Sequence, residues 1–139
     1  MKALVVDTSV AFKWFRREGD EPAVPAALSI LERHLQGEVE LHAPDLLVYE
    51  FGNILKSKSR QAAENPSLIL DDLFRLELTF HCLEPSLARE ALKLALSLDV
   101  TFYDASFVAL AHSLEAGMVT ADARLYRAIR ERPGSTFIS

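Results

Sequence analysis

Cysteine is almost absent from this sequence, because Cys82 is the single one among 139 residues. One thiol cannot form an internal disulfide, and its apolar neighbours predict a buried, reduced side chain in a cytoplasmic protein. The histidines and this cysteine form no cluster with zinc-ligand spacing. These shortages exclude a disulfide-stabilised secreted scaffold and a zinc-binding module.

Long apolar runs and extended basic stretches are also missing. No apolar run approaches the roughly 20 residues that a membrane-spanning helix requires, and charged and polar residues come too early for a secretory signal. The net charge is −5, with 20 acidic against 15 basic residues, which argues against an extended positive surface that grips duplex DNA. The net charge does not exclude binding of nucleic acid through a metal ion, because a bound cation can recruit phosphates.

Half of the residues are hydrophobic, and no linker or internal repeat divides the chain, so we expect a single folded domain over residues 1–139. Strand patterns alternate with helix patterns, which predicts a three-layer α/β/α fold, Rossmann-like, around a mainly parallel sheet. The predicted strands cover residues 2–6, 39–43, 78–83, 118–120 and 135–138, and the predicted helices cover residues 9–17, 23–36, 44–60, 65–76, 85–98, 103–116 and 122–132.

The first strand carries the most informative pattern. An uninterrupted apolar run leads into Asp7, followed by Thr8 and Ser9. Such a run is typical of a strand buried on both faces. Asp7 then lies at the carboxyl end of the strand, where open α/β sheets place their chemistry. Capping of the next helix is the competing interpretation.

Three further acidic residues lie at comparable junctions. Glu50 lies on a largely apolar helix, where Asn53 is placed to orient it. Asp104 opens the most apolar helix of the chain, and Asp122 follows a short strand as a typical helix N-cap. If strand ends and helix starts share one edge of the sheet, these carboxylates converge on Asp7.

Clustered carboxylates repel one another and raise each other's pKa. A divalent cation makes such a cluster tolerable, and oxygen ligands suit Mg²⁺ or Mn²⁺. The sequence therefore predicts a hard-metal site at the carboxyl edge of the sheet.

Four segments in this order resemble the PIN-domain family, and most closely its small VapC-type toxins: Asp7-Thr8-Ser9, Tyr49-Glu50 with Asn53, Tyr103-Asp104-Ala105, and Val119-Thr120-Ala121-Asp122 with Arg124-Leu125. The resemblance covers essentially the whole chain. It implies a Mg²⁺- or Mn²⁺-dependent endoribonuclease of a toxin–antitoxin pair, a homodimer, and an antitoxin that blocks the site.

With hydrolysis of RNA phosphodiesters as the reaction, the carboxylates take distinct roles. We expect Asp7 and Asp104 to be the principal metal ligands, Glu50 a ligand or water-orienting base, and Asp122 a second-metal or outer-shell ligand. Thr8, Ser9, Asn53 and Thr120 are expected to hold these carboxylates by hydrogen bonds. The aromatic segment at residues 12–15 is expected to bury surface in a dimer and against the antitoxin.

Other functions remain open from the sequence. A phosphatase of the haloacid dehalogenase type also begins with a strand-end Asp, but it needs a second Asp where Ser9 stands. A phosphoacceptor signalling domain needs an acidic pair and a late lysine, neither of which is evident. A PIN fold that binds RNA or protein without cleaving is the remaining alternative.

Overall fold

A computed structural model describes residues 2–17, 19–58 and 65–139 of the chain. The described strands are β1 (Lys2–Val6), β2 (Val39–Pro44), β3 (Thr79–His81), β4 (Gly117–Thr120) and β5 (Ser135–Phe137). The described helices are α1 (Thr8–Lys13), α2 (Val24–Leu35), α3 (Leu46–Lys58), α4 (Pro66–Arg75), α5 (Pro85–Leu98), α6 (Phe102–Ser113) and α7 (Ala123–Ile129). The predicted α/β architecture is confirmed.

The sheet has the strand order β3-β2-β1-β4-β5, and each of these pairs is parallel. The chain adds strands outward from β1 to β3, then returns to place β4 on the other side of β1. Strand order therefore reverses between β1 and β4, and open α/β sheets bind their ligands at the carboxyl ends of such strands. The register sets Val6 beside Val119, so the residues that follow β1 and those that end β4 lie together.

Helices cover both faces of this sheet. On one face α1 contacts α2 and α3, and α3 contacts α4. The return connections run in the opposite direction, and right-handed crossovers then put α5, α6 and α7 on the other face. Val5 and Val6 are fully buried, as expected of a central strand covered on both sides. Residues 105–111 of α6 are also buried, so this helix is core material around its whole circumference.

The aromatic segment at residues 12–15 lies in the core of the chain, and its prediction as an interface is wrong. Phe12 and Trp14 are buried, and Phe12 and Phe15 pack edge-to-face on Phe51. The Trp14 indole donates a hydrogen bond to the Ala27 carbonyl at 2.9 Å. A turn follows Lys13, so α1 ends earlier than the predicted residue 17.

Cys82 is exposed, which corrects the prediction of a buried thiol. The edge strand β3 pairs with β2 over three residues only, so Cys82 lies beyond the sheet. The helix predicted over residues 103–116 ends at Ser113, and Gly117 begins β4, where a Cβ would lie 2.9 Å from the Gly134 carbonyl oxygen. The predicted end of the third helix, near residue 60, lies outside the described residues.

Within the described ranges, no single helix is long and apolar enough to cross a membrane. The α5 and α6 helices meet that criterion of length and composition only as a pair bent by 116°.

Candidate active site

Asp7 lies directly after β1 and acts as the N-cap of α1. Its Oδ1 atom accepts hydrogen bonds from the Val10 amide at 3.2 Å and from the Ser9 hydroxyl at 2.5 Å. Its Oδ2 atom accepts a hydrogen bond from the Thr120 hydroxyl, also at 2.5 Å, across the β1–β4 boundary. Three donors from two elements therefore fix both oxygens, so capping and site formation are compatible for Asp7.

The Asp7 carboxyl is only 6% exposed, and this burial raises its pKa from 3.8 to about 6. The hydrogen bonds from Ser9, Thr120 and Val10 lower the pKa, and the nearby charge of Asp122 raises it. Burial outweighs the donors, because a carboxylate removed from water loses more solvation than these neighbours restore. The Asp7 carboxylate is thus held in a fixed position, but its hydrogen bonds do not make up for its loss of hydration.

Glu50 lies in the first turns of α3 and turns toward α1. The Thr8 hydroxyl donates a hydrogen bond to Glu50 Oε1 at 2.7 Å. Burial raises the pKa of Glu50, the hydrogen bond from Thr8 opposes the rise, and Asp104 adds to it. The predicted support from Asn53 is not seen: Asn53 is exposed, and its side chain makes no hydrogen bond within the described part of the chain.

Asp104 is the third residue of α6 but does not cap it. Thr101 is the N-cap, and its hydroxyl accepts a hydrogen bond from the Asp104 amide at 3.0 Å. Burial and then Asp122 raise the pKa of the Asp104 carboxyl, while Thr101 and Arg124 lower it. With the helix capped by another residue, the Asp104 carboxylate is left facing the other acids.

Asp122 is the N-cap of α7, as its sequence position predicts. Its Oδ1 atom accepts hydrogen bonds from the Arg124 and Leu125 amides at 2.9 and 3.2 Å. Asp122 also lies near enough to Asp7 and Asp104 to raise the pKa of each. Asp122 therefore caps a helix and adds charge to the pocket.

The structure brings the four predicted carboxylates to one edge of the sheet, each interacting with at least one other. Across residues 2–17, 19–58 and 65–139, no three Asp, Glu, His or Cys side chains are gathered closely enough to hold one ion directly. Mg²⁺ does not require three such ligands, because it keeps several waters and binds through one or two carboxylates. The carboxylate oxygens are of the kind that a hydrated hard cation takes as ligands, and Asp7, Glu50, Asp104 and Asp122 are the candidates to hold one.

Two site residues were given no role by the sequence prediction. Thr101 caps α6, and a Thr three residues before an acidic residue is a recognisable capping pattern. Arg124 is a cation close enough to lower the pKa of Asp104, and Asp104 and Arg124 both line a recess of about 470 Å³ at the start of α6. No sequence pattern could pair Arg124 with Asp104, because their proximity depends on how the chain brings the starts of α6 and α7 together.

Replacing Thr120 with valine is expected to destabilise the chain by about 1–3 kcal/mol. Thr120 is fully buried. Its hydroxyl donates to Asp7 and accepts from the Asp122 amide at 3.0 Å, so an isosteric valine leaves the buried Asp7 oxygen and the half-buried Asp122 amide without this partner. Urea denaturation at neutral pH measures the loss, and Thr120→Ser, which keeps the hydroxyl, is the matched control. Equal midpoints for the valine and serine variants would contradict the role of the hydroxyl.

Comparison with known proteins gives matches over most of the chain. The family model of the PIN domain matches residues 4–131. Ribonuclease VapC3 of Pyrobaculum aerophilum is 32% identical over 130 residues, which cover 90% of this chain and 92% of that protein.

Solved structures agree on the fold. The structure of PAE2754 from Pyrobaculum aerophilum has a TM-score of 0.63 at 26% identity and covers 91% of this chain and 86% of its own. VapBC2 from Rickettsia felis, bound to a DNA fragment from its promoter, has a TM-score of 0.67 at 11% identity, covering 97% and 96%. Because the family model matches residues 4–131 and the relative is 32% identical over most of both chains, this chain belongs to the PIN-domain family.

Proposed function

We propose that this PIN domain is a VapC-type endoribonuclease that hydrolyses RNA phosphodiesters with the help of Mg²⁺ or Mn²⁺. The observation that carries the proposal is the group of four carboxylates at the β1–β4 edge, where burial and mutual repulsion raise the pKa of Asp7, Glu50 and Asp104. The likeness to Ribonuclease VapC3 supports RNA as the substrate.

A bound divalent cation would lower the pKa of a coordinated water and stabilise negative charge on the attacked phosphate. Asp7 and Asp104 are the proposed principal ligands, and Asp122 is proposed for a second ion or for the outer shell. Hydroxyl donors from Ser9 and Thr120 hold Asp7 in one orientation, so the site is preorganised without its ion.

The remaining polar groups have separate proposed tasks. Thr8 holds Glu50 Oε1, and the raised pKa of Glu50 suits it to accept the proton of an attacking water. Arg124, beside Asp104, is the cation available to a phosphate oxygen. Ser9 is unsuited as a nucleophile, because its hydroxyl donates to Asp7 and accepts from the Ala121 amide at 2.9 Å.

We further propose an antitoxin protein as partner, a homodimer, and a cytoplasmic location. The resemblance to VapC-type toxins supports an antitoxin, and fold neighbours include a toxin–antitoxin complex from Klebsiella pneumoniae, with a TM-score of 0.66 at 14% identity. Leu68, Phe74, Leu92 and Leu96 are each more than half exposed on α4 and α5, and they offer apolar surface for protein contacts. An RNA substrate and a single cysteine both favour the cytoplasm.

The test of the proposed activity is incubation of the purified chain with total RNA, with mapping of the cleaved ends. Cleavage is expected in Mg²⁺ or Mn²⁺, is expected to stop with excess EDTA, and is expected to return when Mg²⁺ exceeds the chelator. The same RNA incubated without protein is the control for chemical breakage.

Two results would contradict the proposal. Cleavage that survives EDTA would remove the metal from the mechanism, and intact RNA with every divalent ion would favour a PIN fold that only binds. Release of phosphate from a small phosphomonoester, with intact RNA, would support the phosphatase alternative.

A further inference from the structure

An apolar groove lies beside the carboxylates, between the start of α3, the start of α6 and the segment that follows β3. It measures about 190 Å³, and Asp45, Leu46, Tyr49, Leu83, Phe102 and Tyr103 are among its lining residues. We call it the aromatic groove, because three of its lining residues carry aromatic rings.

The rings of this groove face solvent. Tyr49 is 75% exposed, Tyr103 60% and Phe102 38%. Within the described residues, neither tyrosine hydroxyl has a hydrogen-bond partner and neither tyrosine ring stacks on another ring. Tyr126, by contrast, packs on Phe137 with ring centroids 5.5 Å apart. The groove therefore presents flat apolar faces that contribute little to the chain's own core.

The groove directly adjoins the carboxylates. Tyr49 precedes Glu50 on α3, and Tyr103 precedes Asp104 on α6. The first turn of α6 separates two recesses: Tyr103 lines the aromatic groove on one side, while Asp104 and Arg124 line the larger recess on the other. A ligand bound at Asp104 therefore lies beside the residue, Tyr103, that lines the aromatic groove.

Both recesses contain carboxylates, but only the larger one is also lined by a cation. The carboxylate of Asp45, exposed just before α3, lines the aromatic groove and repels a phosphate group. The larger recess is lined by Asp99 and Asp104 and also by Arg124, whose guanidinium can donate hydrogen bonds to a phosphate oxygen. A nucleotide strand that crosses the first turn of α6 would therefore place a base in the groove and its phosphates beside Arg124.

We propose that the aromatic groove binds one unpaired base of the substrate, next to the cleaved phosphate, by stacking on Tyr49 and Tyr103. This inference rests on the proposed nuclease function and restricts its substrate to RNA that is single-stranded at this position. Bases in a duplex are already stacked and paired, so they cannot enter, whereas unpaired bases stack readily on aromatic side chains. The volume of the groove fits one base rather than a helix.

The test measures binding of a fluorescently labelled single-stranded RNA by anisotropy, in Ca²⁺ as an oxygen-preferring ion in place of Mg²⁺. Tyr49→Ala and Tyr103→Ala are each expected to weaken binding at least about fivefold, the lower end of what one base–aromatic stack contributes. Tyr49→Phe and Tyr103→Phe keep the ring and are expected to bind within about twofold of the unsubstituted chain.

Two controls sharpen the test. Leu35→Ala removes an apolar side chain that is 62% exposed at the end of α2, away from the groove, and is expected to leave binding unchanged. Blunt duplex RNA of the same sequence is expected to bind more weakly and to bind all variants equally. Thermal unfolding checks that each variant is folded.

Alanine variants that bind single-stranded RNA as tightly as the unsubstituted chain would overturn the inference. A change in molar mass by light scattering, caused by the alanine variants and not by the phenylalanine ones, would also overturn it and would make the groove a protein contact. If no divalent ion supports RNA cleavage but the tyrosine effect on binding persists, the proposed activity fails and the stacking site stands.

Discussion

Replacing Asp104 with asparagine is expected to abolish RNA cleavage and to leave the chain folded. The amide keeps the shape of the carboxylate but loses the charge that binds a cation, whose stabilisation of the attacked phosphate amounts to several kcal/mol. A loss of about 4 kcal/mol corresponds to a rate lower by about 1,000-fold. Cleavage rates with saturating Mg²⁺ measure the effect.

The fold is expected to tolerate this change, because Thr101 and not Asp104 caps α6. Burial and Asp122 raise the pKa of Asp104, so the folded chain favours the neutral form of this side chain and an uncharged amide relieves repulsion. The melting temperature in EDTA is therefore expected to be no lower than that of the unsubstituted chain. Asp71→Asn makes the same chemical change at an exposed position of α4, and it is expected to cleave normally. Normal turnover by Asp104→Asn would remove Asp104 from the site.

Burial on both sides made the central elements predictable from composition. Residues 3–6, before Asp7, and residues 105–111, after Asp104, include one polar side chain, that of Ser106, because each segment is surrounded by other parts of the chain. Carboxylates at the ends of such elements stand out against the apolar background. Parallel pairing then brings the ends of β1 and β4 to one edge, so Asp7, Asp104 and Asp122 could be expected to converge.

The direction of individual side chains was not predictable in the same way. Asn53 shares a helix face with Glu50 by spacing, but Glu50 turns toward Thr8 of α1 instead. Trp14 looks like interface surface from the sequence alone. In the fold its indole is covered by α2 and donates to the carbonyl of Ala27, which lies 13 residues away in the sequence. Cys82 has apolar neighbours but follows the last paired residue of an edge strand. Each of these outcomes depends on the packing between elements, which local composition does not contain.

The metal-free chain is expected to lose stability as pH rises from about 4 to 6. The pKa of Asp7 is about 6 in the folded chain against an ordinary value of 3.8, so between these values the folded chain holds a proton that the unfolded chain has released. The free energy of unfolding then falls with rising pH, and the benefit present below pH 4 is lost above pH 6. A shift of this size corresponds to about 3 kcal/mol, or about 6–12 °C in melting temperature for a chain of this length.

Asp7→Asn isolates this contribution, because the amide is uncharged at every pH. Its carbonyl oxygen can accept the hydrogen bonds from Ser9 and Val10 that Oδ1 accepts now. Any loss of stability from the changed hydrogen bond to Thr120 is the same at every pH. It therefore does not affect how the difference between the two chains changes with pH.

Thermal unfolding in EDTA at several pH values between 4 and 7 gives the comparison. The melting temperature of Asp7→Asn minus that of the unsubstituted chain is expected to grow with pH and to level off above pH 6. Adding Mg²⁺ at pH 7 is expected to raise the melting temperature of the unsubstituted chain and to close this gap, because the cation neutralises the carboxylate that burial disfavours. A difference that stays constant with pH would show that Asp7 is already ionised near its ordinary pKa. The pocket would then be hydrated and compensated without a metal ion.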